Sequence, residues 1–230
     1  EAMKILTELD FTINRAEIKK RLGFSSDSED WKHVQDLVQE VGPLIKPKCA
    51  YEACYIQEKT EDTVGVEGVQ FKSKVLSKNL EDVERIFPFV ITIGPELEEK
   101  YRAEEDFLEQ YYLDTIANVA LQDLMKSMCA YLQEEYKLEK LSYMNPGSLQ
   151  DWPIQEQRKL FSLLGNVQEG IGVRLASSML MHPAKSESGI YFPTEVTFFN
   201  CQLCPREGCS SRKAAFDENL AREYGVLERE

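Results

Sequence analysis

The segment Phe107–Tyr136 is the longest helical stretch of the sequence, and no other segment constrains the fold as strongly. Phe107, Tyr111, Val119, Ala120, Leu124, Met128, Tyr131 and Leu132 recur at helical spacing and mark a stripe for burial. The stability of such a helix comes mostly from tertiary packing, so it needs a broad apolar surface to lie on. The stripe reads as core rather than as cofactor contact. Asp114 lies in an otherwise apolar stretch and reads either as exposed or as facing a cleft.

The rest of the chain supplies the packing surface. Residues 1–10 read as an extended arm. Asn14 followed by Glu17 marks a helix start, Ile18, Leu22 and Phe24 seat that helix, and Gly23 ends it. Trp31, Val34, Leu37, Val38, Val41 and Ile45 trace an amphipathic helix whose end is disturbed by Gly42-Pro43. Ala50–Ile56 and Val64–Phe71 read as two strands joined by a polar turn. A short helix over 79–86 and a buried strand Phe89–Ile93, closed by Gly94-Pro95, follow. After the long helix come a helix Pro153–Leu164, an extended piece Gly172–Leu175, paired strands Ile190–Phe192 and Val196–Phe199, and a final helix over 212–224. Interleaved elements with one hairpin early and one late predict an α+β fold, mixed helices packed on a twisted antiparallel sheet. With no repeat and no linker, 1–230 reads as a single domain, containing a Cys-rich segment 200–212 and a C-terminal helix 212–230.

At 230 residues and 43% hydrophobic content the chain can bury a core without staples. Its 27 basic and 40 acidic side chains leave a net charge of −13, which excludes a general nucleic-acid binder because nothing neutralises phosphate. The charge suits solubility, or docking to a basic partner surface. No run of about 18 apolar residues is present, so no membrane span is expected. Glu1-Ala2-Met3-Lys4 has no signal-peptide core, and Glu1-Ala2 reads as an expression scar. A cytoplasmic protein is expected, whose six cysteines are thiols, ligands or redox groups before they are disulfides.

Two segments carry the functional signal. One runs Tyr143-Met144-Asn145-Pro146-Gly147-Ser148-Leu149-Gln150-Asp151-Trp152-Pro153-Ile154, followed by Gln157 and Leu160–Leu164. The other runs Met181-His182-Pro183-Ala184-Lys185-Ser186-Glu187-Ser188-Gly189-Ile190-Tyr191-Phe192, preceded by Leu175–Ser178. Pro146-Gly147 sets a tight turn that lets backbone approach a bound molecule, and Asn145 can use its amide in the same turn. Ser186, Ser188 and Gly189 precede a strand on which Tyr191 either borders a ligand or joins the core. In order and separation these segments resemble the activation domain of cobalamin-dependent methionine synthase, over roughly residues 76–195.

That resemblance implies binding of S-adenosylmethionine in a loop of pattern Arg-x-x-x-Gly-Tyr. Gly147 matches the glycine, with Asn145 and Pro146 ahead of it. Tyr143 stands at the arginine position and Ser148 at the tyrosine position. The arginine would pair with the ligand carboxylate, a contact that tyrosine does not replace in kind. Tyr143, Asn145, Pro146, Gly147, Ser148 and Tyr191 are therefore the candidate ligand residues. The implied chemistry is reductive methylation of inactive cob(II)alamin, which needs positioning more than acid–base groups. His33 and His182, the only two histidines, read as structural or surface residues.

Cys201, Cys204 and Cys209 form a C-x2-C-x4-C run outside the span of the resemblance. Three thiols this close suit zinc or an iron–sulfur cluster, or stand reduced around a Pro/Gly turn. The run has no fourth ligand, for which Cys49, Cys54, Cys129 and His182 are candidates. Arg206, Arg212 and Lys213 could steady thiolates, meet an acidic partner, or remain surface charge.

The leading expectation is a stand-alone reactivation factor that binds S-adenosylmethionine. Its partner carries the cobalamin: a methionine synthase or another corrinoid protein, with an electron-donor protein as a further partner. The other reading is a corrinoid-protein docking and redox module that uses the three cysteines without S-adenosylmethionine. A third is a zinc-stabilised adaptor.

Overall fold

A computed structural model describes residues 2–25, 28–209 and 212–227. The chain opens with strand β1 (Lys4–Leu6) and helices α1 (Arg15–Leu22) and α2 (Glu29–Val41). Strands β2 (Lys48–Tyr51), β3 (Cys54–Lys59), β4 (Thr63–Val66) and β5 (Val69–Lys72) lead to helix α3 (Lys74–Asn79). Strand β6 (Arg85–Thr92), helices α4 (Glu96–Ala103) and α5 (Phe107–Tyr136), and strand β7 (Leu141–Met144) follow. Helices α6 (Gln157–Leu164) and α7 (Val167–Ile171) precede strands β8 (Arg174–Leu175), β9 (Met181–His182) and β10 (Ser186–Pro193). Helix α8 (Glu218–Glu223) comes last.

Eight of the strands form one curled antiparallel sheet, and β8 pairs separately with β9. Strand β6 is its spine. One edge of β6 pairs with β10, which pairs in turn with β7. The other edge takes β2 along Phe89–Thr92 and β3 along Arg85–Ile86. Pro88 sits where one partner gives way to the other. Its carbonyl accepts from the Glu52 amide at 3.2 Å, and in an extended strand the nitrogen faces the same neighbour. The donor that proline lacks therefore falls at the Glu52-Ala53 break, where no ladder bond is interrupted.

One face of the sheet buries Tyr51, Phe87, Phe89, Ile91 and Tyr191 against α1, α2 and α5. The opposite face buries Ile86, Met144, Ile190 and Phe192 with Phe71, Leu76, Trp152 and Leu160. Helix α1 begins as the sequence predicts, with Asn14 Oδ1 accepting from the Glu17 amide, and it ends at Gly23 in the left-handed region. Helix α2 buries Trp31, Val34, Leu37, Val38 and Val41 of its expected stripe, and Ile45, also buried, lies beyond its end. Among the described residues no helix is long and apolar enough to cross a membrane.

Several elements differ from expectation. Helix α5 has the predicted bounds, but its first turn projects past the core: Phe107 is 86% exposed and Tyr111 54%. Burial begins at Tyr112 and Leu113. Residues 50–56 are two strands, parted at Glu52-Ala53. Residues 64–71 turn back on themselves at Glu67-Gly68, both with positive φ, the two-residue turn that matches strand twist. The short helix lies over 74–79 rather than 79–86, because Ser73 Oγ accepts from the Leu76 amide and caps it there. Val196–Phe199 is not a strand. The edge of β10 is taken by β7, and the Phe198 amide donates to Ser142 Oγ at 2.7 Å instead. The final helix is confined to Glu218–Glu223, capped by Asp217. Residues 210–211 of the Cys-rich segment and 228–230 of the expected helix lie outside the described residues.

Candidate functional site

Between β7 and α6 the chain makes a tight loop. The Gly147 amide donates to Trp152 O at 2.7 Å, Ser148 to Asn145 O at 3.2 Å, and Trp152 to Leu149 O at 3.2 Å. Trp152 is fully buried, edge-on to Phe71 at 6.1 Å, and pins the loop to the core. Gly147 has φ +84, and a Cβ there would come within 2.9 Å of the Ile154 side chain, so only glycine fits without strain. Two carboxylates fasten the loop to its neighbours. Asp151 accepts from Ser73 Oγ and from the Val75 amide at 3.0 Å, and Glu156 accepts from the Lys72 amide at 3.0 Å.

The second motif meets the first directly. Asn145 Nδ2 donates to Ser188 O at 2.7 Å in a buried contact. Gly189 lets the strands close there, since a Cβ would lie 2.4 Å from Met144 O. The approach to β10 is equally fixed. The Ala184 amide donates to Glu98 Oε2 at 2.6 Å, and Ser186 Oγ donates to Pro183 O at 2.7 Å. Lys185 Nζ reaches Asp114 Oδ1 at 2.6 Å and Asn118 Oδ1 at 2.8 Å. Asp114 is thus an anchor for the second motif.

Between the motifs lies a groove of about 500 Å³. Asn145, Pro146, Gly147 and Ser148 form one wall, and Met179–His182 with Ala184, Glu187 and Ser188 form the other. Four of the six candidate residues therefore share the groove. Tyr143 and Tyr191 are not among its lining residues. Tyr191 packs on the α5 face of the sheet, where its hydroxyl donates to Met125 O at 2.8 Å. Its ring stands 4.5 Å from Phe89 and 5.5 Å from Tyr143. The Tyr143 hydroxyl contacts Lys213 Nζ. Burial pushes both tyrosine hydroxyls upward in pKa, with Lys213 opposing the shift at Tyr143. Burial likewise raises the Glu187 carboxyl, and again the Lys213 ammonium opposes it.

Gln157 belongs to the first segment but was not among the candidate ligand residues. It is 2% exposed, lines the groove from the first turn of α6, and its Oε1 has no hydrogen-bond partner. A buried acceptor left unpaired costs roughly 1–3 kcal/mol. Nothing in the pattern of the chain distinguishes this glutamine from one that pairs.

The family model for the activation domain of vitamin B12 dependent methionine synthase matches residues 54–214. The chain belongs to that family. No curated protein matches it. Among solved structures, the crystal structure of the MetH reactivation domain bound to AdoHcy is similar, with a TM-score of 0.58 at 14% identity. The match covers 86% of this chain and 81% of that one. At such identity the likeness is one of fold.

The family match also takes in the cysteine run of this activation domain, which the resemblance by motif had left out. Cys201, Cys204 and Cys209 are all partly exposed free thiols. Among the described residues, no three His, Cys, Asp or Glu side chains gather where they could hold a metal ion, so the expected zinc or iron–sulfur site is not formed. The loop closes on Arg212 instead. Its guanidinium donates to Cys201 O at 3.1 Å, Cys204 O at 3.1 Å, Ala214 O at 3.2 Å and Arg206 O. Five donors in a fixed fork suit a ring of carbonyls, and the sulfur atoms are left at its rim. Cys201 Sγ accepts from the Lys213 amide at 3.4 Å.

Proposed function

We propose that this activation domain binds S-adenosylmethionine in the groove between its two motifs and supports reductive methylation of a corrinoid carried by a separate cytoplasmic protein. A methionine synthase holding cob(II)alamin is the leading partner. The observation that carries this reading is the contact of Asn145 with Ser188, which joins both motifs into one groove. The AdoHcy in the structural neighbour supports it, because AdoHcy is what S-adenosylmethionine becomes on losing its methyl group.

The groove fits such a ligand in size, since small-molecule sites span roughly 300–1,000 Å³. It also fits in chemistry, combining Pro146, Ile154 and Leu180 with a few polar groups. When bound, S-adenosylmethionine supplies a methyl group on a sulfonium. With one electron from a donor protein, that methyl converts the partner's cob(II)alamin to methylcobalamin. The chain's own residues position. Gly147 lets backbone approach the ligand, Asn145 holds the two walls at a fixed spacing, and the Asp151 and Glu156 contacts keep the loop from swinging. No acid–base pair is required for this task.

Calorimetric titration of S-adenosylmethionine into the protein tests the reading. Saturable one-to-one binding is expected, weakened at least tenfold by Gly147→Val, whose side chain would strike Ile154. Absence of binding, alone and with a corrinoid protein present, would leave a docking and redox module as the better account.

A further inference from the structure

We propose that Arg102 holds the carboxylate of the S-adenosylmethionine tail at the α4 side of the groove. The inference rests on the S-adenosylmethionine reading and names the residue that fixes the ligand's amino-acid end. A carboxylate drawn out of water needs a charged donor. Among the described residues that line the groove, Arg102 is the one arginine or lysine. Glu187, the acid of the lining, repels a carboxylate whenever it is charged. The nearby neutral donors are committed within the protein. Asn145 Nδ2 serves Ser188 O, the Gly147 amide serves Trp152 O, the Ser148 amide serves Asn145 O, and the Ala184 amide serves Glu98. Tyr143 cannot supply the contact, because its hydroxyl meets Lys213 and the residue does not line the groove.

The guanidinium is held in place rather than loose. Arg102 lies in the last turn of α4, and its Nη2 pairs with Glu98 one turn earlier. The pair is lopsided: the Glu98 side chain is 8% exposed and that of Arg102 61%. Glu98 also accepts from the Ala184 amide at 2.6 Å, so one buried carboxylate ties the arginine to the wall made by the second motif. Among the described residues Glu98 is the only acceptor that Arg102 meets. A guanidinium carries five N–H donors in a rigid fork, and one such partner leaves a pair of them free. That pair matches the two oxygens of a carboxylate, a fit that an ammonium does not reproduce.

Decarboxylated S-adenosylmethionine keeps the sulfonium and the amine and is the more positive of the two ligands. The net charge of −13 on the protein favours it at long range. A preference for the ligand that bears the carboxylate therefore reports a local contact. Calorimetric titration of both ligands into the wild type, Arg102→Gln and Arg102→Lys makes the test. We expect the wild type to prefer S-adenosylmethionine at least fivefold. In Arg102→Gln the ratio should fall to one or below through loss of affinity for S-adenosylmethionine alone, and Arg102→Lys should keep part of the preference. Equal binding by the wild type, or a preference that survives in Arg102→Gln, would overturn the assignment and leave the groove reading standing. So would an equal loss of both ligands in Arg102→Gln, which would make the residue structural. Failure of the wild type to bind either ligand would overturn both readings together.

Discussion

Glu187 shows how one side chain can be held against its own preference. It lies on the β10 wall of the groove, where burial disfavours its charged form and Lys213 partly offsets that cost. Its folded pKa is raised above the ordinary 4.5. Such a carboxyl contributes most to stability below its unfolded pKa, and the contribution is lost as pH rises through the folded pKa. Glu187→Gln should therefore be more stable than the wild type at neutral pH, with the advantage vanishing towards pH 4. Thermal melts across that range would show it. A constant difference at all pH values would mean that the carboxyl does not titrate differently on folding.

The same strand shows what could be read at residue scale. Gly147 and Asn145 were legible because a Pro-Gly turn with an amide neighbour has few conformational options. The parity of β10 was legible too: side chains alternate along a strand, so Tyr191 and Ser188, three apart, point to opposite faces. Reading that alternation would have placed the Tyr191 ring on the α5 face of the sheet, with Tyr143, its cross-strand partner, beside it. Gln157 could not have been found this way. Whether an amide is paired depends on neighbours that the chain brings together only on folding.

At the scale of elements, local chemistry decided the helices and distant contacts decided the strands. Asn14, Gly23 and the stripe of α2 fix their elements within a few residues, and those were read correctly. The split between β2 and β3 follows from Pro88, far along the chain, and the pairing of β10 follows from β7. Neither is written in the strand concerned. The carboxylate ties are a further long-range device. Asp151, in the ligand loop, caps the start of α3 by accepting from the Val75 amide and Ser73 Oγ. Asp151→Ala should destabilise the fold by about 1–2 kcal/mol, the usual cost of losing a helix cap. Chemical denaturation would measure it. A change below about 0.3 kcal/mol would show that water replaces the carboxylate without loss.

At the scale of the whole molecule, the groove lies between two motif segments whose strands, β7 and β10, pair within the main sheet. A ligand held there stabilises every element that must come apart in unfolding. At a hundredfold excess over Kd the gain is about 2.7 kcal/mol. For a chain of this length that corresponds to a rise in Tm of about 5–10 °C. S-adenosylmethionine should produce such a rise in a thermal scan. Saturating ligand with an unmoved Tm would place its binding on the unfolded chain as well.

The Cys-rich segment is gathered by a guanidinium and the oxygens around it, not by sulfur. Cohesion and reactivity are thereby assigned to different atoms. The three thiols can change their oxidation state, or be substituted one by one, without removing the keystone of the loop. Loss of Arg212 would scatter the loop while leaving every thiol chemically intact.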